Sequence, residues 1–413
     1  MQQNRNPKWL ILALAGITNT LAVAAPGMSL SVLFKEISSD LHLSLVQVGL
    51  IWGLSALPGI FTSLLGGVIG DRFGPRRVML VGVILVGLTG ALRGLADDFV
   101  SLLITVIVAG LLSPIVTMSN LKACGIWFPS RQLGFANGIL SMGMALGFLL
   151  GSLLSATVLS PWLGGWRHVM FFYGALAVLF SIPWYFTPSV PQTTHQYRAE
   201  NPAISMRQAV KHIARLKNIW LLGLTILGFG GCVQAVLGYL PLYLRGQGWT
   251  GFQADGALSA FHLTSMIFVL PIVLWSDRLR ARKKLLIGMG LMAALGIGVL
   301  SVADGFIVWG ADLLSGLVRD GFMALLMTLI VETRGVGPTY AGTATGFTMI
   351  FAGLGNVLAP PLGNKLAEIS PGLSFVFWAA LAVFGVICLS FTSASQPGSA
   401  LQPVDLLDAE NNS

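Results

Sequence analysis

Residues 67–77 read Gly67-Val68-Ile69-Gly70-Asp71-Arg72-Phe73-Gly74-Pro75-Arg76-Arg77, a short run of glycine and charge between two long apolar stretches, 44–70 and 78–97. Gly67 and Gly70 allow a neighbouring helix to approach closely. Asp71 is placed to accept hydrogen bonds from a helix N-terminus or from an arginine on another segment, with Arg131 a candidate. Arg76 and Arg77 hold the turn in water. A degraded second copy, Asp277-Arg278-Leu279-Arg280-Ala281-Arg282-Lys283, follows another apolar run and has Arg280 where a glycine is expected. The pair of turns divides the chain into two related halves.

Composition sets the solvent in which those halves fold. Hydrophobic residues make up 55% of the 413 residues and charged residues only 10%, with mean hydropathy +0.80. Soluble domains carry about 25% charge, so this chain cannot cover a water-facing surface. A membrane-spanning helix needs roughly 20 apolar residues, which leaves room for about twelve. Charges, prolines and polar clusters place them near 9–34, 44–70, 78–97, 99–122, 133–158 and 167–187, then 219–244, 254–276, 284–303, 305–332, 339–366 and 372–393. The expected fold is an all-α polytopic membrane protein of twelve transmembrane helices in two six-helix bundles. Its domains are an N-terminal bundle over 1–187, a cytoplasmic linker over 188–218, a C-terminal bundle over 219–393 and a disordered cytoplasmic tail over 394–413.

The first apolar run mimics a signal peptide, with Arg5 and Lys8 before it and Ala22-Val23-Ala24 inside it. It continues to Phe34, well beyond a usual signal core, and reads as an uncleaved helix. The net charge of +8 does not indicate a nucleic-acid partner, because the basic residues sit in short turns rather than along one stripe. With the N-terminus in the cytoplasm, about 18 Lys and Arg fall on the inner side against 5 outside, as the positive-inside rule favours. That topology puts both termini inside a bacterial-type inner membrane. Arg198, Arg207, Lys211, Arg215 and Lys217 give the linker the character of an amphipathic segment on an anionic leaflet. Cys124, Cys232 and Cys388 are scattered, and the five histidines lack metal-ligand spacing. The sequence has no Walker loop, HExxH or GxSxG, so no cofactor, metal or soluble-enzyme chemistry is expected.

The 67–77 turn, its copy at 277–283, the twelve spans and the basic central linker together resemble the major facilitator superfamily, and the resemblance covers nearly the whole chain. Trp127-Phe128-Pro129 and Gly165-Trp166-Arg167 resemble turns in prokaryotic porters of small or organic anions, of the cyanate/nitroimidazole and nitrate/carboxylate types. The glycine–proline pair of proton-driven drug antiporters is missing after Gly143, where Met144 stands. The resemblance implies an alternating-access secondary transporter, not an enzyme, working as a monomer among membrane lipids on a small-molecule substrate. An inner gate of Asp71, Arg72, Arg76, Arg77, Arg131, Asp277 and Arg278 would latch in one access state and release in the other.

Charge at membrane depth is costly and marks function by default. Arg319 lies about 14 residues into the tenth span, roughly 20 Å at 1.5 Å per residue, and so near mid-membrane. A carboxylate-, nitrate- or phosphate-bearing substrate would satisfy its guanidinium in two-pronged fashion; an internal pair with Asp312, Asp320 or another acid is the structural alternative. Asp320 and Asp312 are the candidate proton carriers, for a transporter driven by a proton or solute gradient. His262 reads as a hydrogen-bonded packing histidine or, as the alternative, a group that titrates in a useful range; Arg93 reads as a snorkelling side chain near the outer surface or, as the alternative, a guide for anions at the entrance. The resemblance puts spans one, four, seven and ten around a central cavity, which brings Asn19 and Gln234 to the substrate with Arg319; Asn356 joins them as uncharged lining. Two other readings compete: a drug or metabolite efflux carrier of the same fold, and a transport-dead membrane sensor or scaffold.

Overall fold

The computed structural model describes residues 7–59, 61–62, 69, 72–188, 206–279 and 281–393. Within them every regular element is helical. Twelve principal helices follow in chain order: α1 (Lys8–Asp40), α2 (Leu45–Gly59), α3 (Pro75–Leu95), α4 (Phe99–Trp127), α5 (Gln132–Leu163) and α6 (Trp166–Tyr185), then α7 (Lys217–Gly246), α8 (Gly251–Leu279), α9 (Arg282–Val299), α10 (Phe306–Val331), α11 (Gly337–Ala367) and α12 (Leu373–Ser390). Ten of them are long and apolar enough to cross a membrane; of α2 the described residues run unbroken from Leu45 to Gly59, and α9 opens on Arg282, Lys283 and Lys284. The chain is therefore an integral membrane protein. Several helices outrun their expected spans, α1 to Asp40 and α5 to Leu163, since a helix need not stop where the hydrocarbon does.

Two helices are locally rewound. Asn19–Ala24 of α1 and Ser155–Leu159 of α5 are π-helical, and Pro26 follows the first of these turns. Polar starts define other elements. Ser44 and Gln47 cap α2 reciprocally, and Asp98 does the same for α4 with Ser101. The hydrogen bonds from Ser101 hold the exposed Asp98 carboxyl below the usual carboxylate range.

Packing reveals the internal repeat. In the first half α1 lies on α5, and α3 on α4 and α6; in the second, α7 lies on α11, and α9 on α10 and α12. Adding six to each helix number converts one set into the other, as an axis along the membrane normal requires. The halves meet through α2 on α11 and α5 on α8, which the same axis exchanges, with α1 against α7. Small residues make the close packing possible. A Cβ added to Gly143 would sit 2.7 Å from the Gly16 carbonyl, and one on Gly151 would sit 2.4 Å from that of Ala25. The glycine spacing of α5 is thus a backbone contact with α1.

Between the halves, a short helix (Met206–Ile213) buries Ala209 and Ile213. His212 Nε2 lies 2.7 Å from the Gly335 carbonyl, and its ring stacks on Tyr340 at 4.4 Å, so this end of the linker is tied to the start of α11. The rest of the expected linker, 189–205, and the tail over 394–413 lie outside the described residues.

Candidate functional site

Arg319 sits where the two halves meet. On α10, Gly316 packs so tightly that a Cβ there would lie 2.5 Å from the Phe261 carbonyl of α8. That approach brings His262 beside Arg319, with Nη1 3.4 Å from Nδ1. Arginine can only donate, so Nδ1 accepts and the imidazole carries its proton on Nε2, which has no partner among the described residues. Phe148 of α5 completes the group from the other half: the guanidinium lies 5.8 Å from its ring centroid, and the His262 ring 5.4 Å. A cation over an aromatic face is stabilised by about 0.5–2 kcal/mol.

The acid beside Arg319 is held loosely. Asp320 Oδ1 lies 3.5 Å from Nη1, and the Asp320 backbone N–H donates to Ser265 Oγ at 3.2 Å. The side chains of Arg319 and Asp320 remain 19% and 35% exposed. A guanidinium has five N–H donors, and these contacts engage only one of its terminal nitrogens among the described residues. The remaining donors can receive a planar oxyanion. Asp312 is a different case: it is buried, and neither carboxylate oxygen has a hydrogen-bond partner among the described residues. It lies seven residues from Arg319, on the same helical face and about 10 Å away along the axis.

The other expected site residues do not converge on Arg319. Asn19 is buried inside the first half, its amide donating to the Leu140 carbonyl at 3.3 Å and accepting from Asn120 at 2.7 Å. It ties α1 to α4 and α5 at the start of the π-helical turn. Gln234 and Asn356 are half-buried beside α2: the Trp52 indole donates to the Gln234 carbonyl at 2.6 Å, and Asn356 Oδ1 lies 3.8 Å from where a Cβ on Gly230 would stand. Arg93, expected at the surface, is instead only 9% exposed.

Of the turn residues, Arg72 is exposed and lies over Phe73 at 5.5 Å, Arg77 is exposed, and Arg76 donates to the Tyr185 carbonyl and lies 5.6 Å from that ring. Arg278 is exposed. Asp71 lies outside the described residues, as do the side chains of Arg131 and Asp277.

A second polar cluster, which sequence reasoning missed, joins the halves at the end remote from the linker. Arg245, at the end of α7, pairs with Asp255 in the second turn of α8 at 2.6 Å. Asp255 also accepts from Thr157 of α5 at 2.6 Å, and Arg245 donates to the Val32 carbonyl of α1. Nearby, Ser160 donates to Glu36 at 2.5 Å, and Asn364 of α11 reaches the Leu45 carbonyl at 2.8 Å. Ser152 and Ser259 bond across the halves at 2.8 Å. The available signal was one basic and one acidic residue flanking the Gly246–Gly251 turn of a helical hairpin.

Comparison with known proteins decides the family. The Major Facilitator Superfamily profile matches residues 9–360, with a second match over 247–404. The chain belongs to that superfamily. It is a membrane transporter rather than an enzyme. Relatives include the probable nitrate/nitrite antiporter of Thermus thermophilus, 27% identical over 88% of this chain and 86% of that protein. The probable sulfoacetate transporter of Cupriavidus necator is 23% identical, with 88% of each chain covered, and the cis,cis-muconate transport protein of Acinetobacter baylyi is 25% identical, with 94% and 95% covered. Among solved structures, an inward-facing bacterial homologue of the human lysosomal transporter Spinster superposes with a TM-score of 0.77 at 17% identity, covering 95% of this chain and 97% of that one. The twelve-helix, two-bundle superfamily fold is the one seen here.

Proposed function

We propose that this superfamily member is an alternating-access secondary transporter for a small anion, organic or inorganic, with Arg319 as the group that recognises the anionic end. The observation that carries the reading is a mid-depth guanidinium between the halves, backed by Phe148 and His262, with most of its donors uncommitted. Relatives named for nitrate, sulfoacetate and muconate support it, since each cargo offers planar or fork-like oxygens to an arginine. Gln234 and Asn356 line the path on the opposite side, near Trp52. Asn19 contributes through the wall it stabilises.

In this reading both termini face the cytoplasm of a bacterial-type inner membrane, so the Arg245–Asp255 cluster closes the outer end and the conformation is inward-facing. Arg72, Arg76, Arg77 and Arg278, with Asp71, Arg131 and Asp277, form the inner latch that closes in the opposite state. The protein works as a monomer, and Asp320 or Asp312 carries a coupling proton; Asp312 is suited to this because a buried carboxyl without partners is stable only when neutral. The test is uptake into proteoliposomes of nitrate, sulfoacetate and muconate, with and without an imposed proton gradient. Arg319→Gln should abolish uptake while the protein remains folded. Unchanged uptake would remove the anion assignment, and uptake indifferent to both aspartates would remove the proton.

A further inference from the structure

The first half contains a chamber that the Arg319 site does not reach. It lies between α1, α3, α4 and α6, has a volume of about 40 Å³, and is bordered by Pro26, Gly27, Gly90, Arg93, Ser113 and Tyr173. Arg93 is only 9% exposed, and its Nε has no hydrogen-bond partner among the described residues. Its sole hydrogen bond there is a long one, 3.5 Å from Nη1 to the Pro26 carbonyl. No carboxylate among the described residues pairs with it; Asp97, four residues on, lies 3.7 Å from Arg167 instead. Ser113 is occupied by the Ala109 carbonyl and Tyr173 by Ser155. An arginine in apolar surroundings keeps its charge, and an uncompensated buried charge is costly.

The chamber can hold the missing partner. A water site needs about 10–15 Å³, so 40 Å³ is room for roughly three waters, or for one small anion. A Cβ added to Gly27 or Gly90 would meet nothing within 4 Å, so the glycines leave the space open rather than filling it. A dicarboxylate or a sugar acid would not fit.

We propose that Arg93 binds a single small inorganic anion of the halide class inside the N-terminal bundle, at a site that shares no residue with the Arg319 group. The bound ion neutralises the guanidinium and fixes it in place, and Arg93 in turn donates to the Pro26 carbonyl in the segment of α1 that follows its π-helical turn. This site does not depend on the substrate assignment of Arg319.

Thermal unfolding of the purified transporter in sodium chloride against sodium gluconate at equal ionic strength tests the idea, because gluconate is too large for the chamber. Chloride should raise the wild-type Tm saturably, by about 2–4 °C or more. Arg319→Gln should keep that rise. Arg93→Gln should lose it, and so should Gly90→Leu, which retains the arginine but fills the chamber; the second variant decides the matter if the first fails to fold. Anomalous scattering from crystals grown in bromide should place one ion beside Arg93. A wild-type Tm indifferent to chloride, a rise that survives Arg93→Gln and Gly90→Leu, or one that disappears with Arg319→Gln would each overturn the proposal.

Discussion

Arg245 and Arg319 are both arginines on the second bundle, both close to helices of the first, yet they are equipped differently. Arg245 is nearly enclosed and makes a 2.6 Å ion pair with Asp255, whose other contact is a hydroxyl from the facing bundle. Arg319 reaches its acid only at 3.5 Å and its histidine at 3.4 Å, and stays partly open. The first is a closed contact, in which Asp255 Oδ2 takes both Arg245 and Thr157 and only Oδ1 has no partner among the described residues, and the second is an unfinished one. Charge in a membrane protein therefore cannot be ranked by depth alone. What distinguishes a fastening from a binding group is how many donors the protein itself has already used.

The contrast can be broken most decisively at the fastening. Asp255→Ala leaves Arg245 enclosed without its counter-charge and should cost about 3–5 kcal/mol, read as a lower Tm. The same variant should increase labelling of a cysteine placed at Ser31 by an impermeant reagent added from outside. A normal Tm with unchanged labelling would show that the cluster fastens nothing. Replacing the pair together, Arg245→Met with Asp255→Leu, should recover most of the stability, since no buried charge remains.

Arg319→Gln should behave the opposite way. Its internal partners are distant, so stability should change by about 1 kcal/mol or less. Anion affinity should fall by about 100-fold or more, the loss of a two-pronged charged contact, by calorimetry on the transported anion. Arg319→Lys should recover only part of it, because an ammonium keeps the charge and loses the fork. A large stability loss with intact affinity would turn Arg319 into a second fastening.

A smaller effect sharpens the comparison within the first bundle. Asn19→Ala removes the acceptor for the Asn120 amide and the donor to Leu140, and should cost about 1–3 kcal/mol for the buried groups left unpaired. Substrate affinity should be almost unchanged. A selective loss of affinity at full stability would return Asn19 to the lining of the path.

The residues involved show why some of this was legible in advance and some was not. The twelve apolar runs and the paired turns at 67–77 and 277–283 announce the architecture, because each span must satisfy its own backbone hydrogen bonds in lipid and so carries its signal locally. Gly143, Gly147 and Gly151, spaced four residues apart, lie on one face of α5, but nothing in that spacing names their partner, α1. Arg319 was legible because charge is rare in such spans. Asn19 was not, since an asparagine facing a cavity and one facing a neighbouring helix look alike in one dimension. The Arg245–Asp255 contact was missed for a similar reason: both residues sit near helix ends, where charge is ordinary.

Sequence alone determined that this chain dissolves in a bilayer as two related sets of helices, that its basic turns cluster at one end, and that one arginine falls midway along an apolar span. Those features follow from hydropathy and charge, which act residue by residue against lipid and water. The tertiary structure alone decided which polar groups are already satisfied. It closed Asn19 upon Asn120, fastened Arg245 to Asp255 and Thr157, left Arg319 with donors to spare, and drew Arg93 into the bundle beside an open chamber. Partnership depends on distances between helices far apart in the chain, and the order of residues does not encode those distances locally.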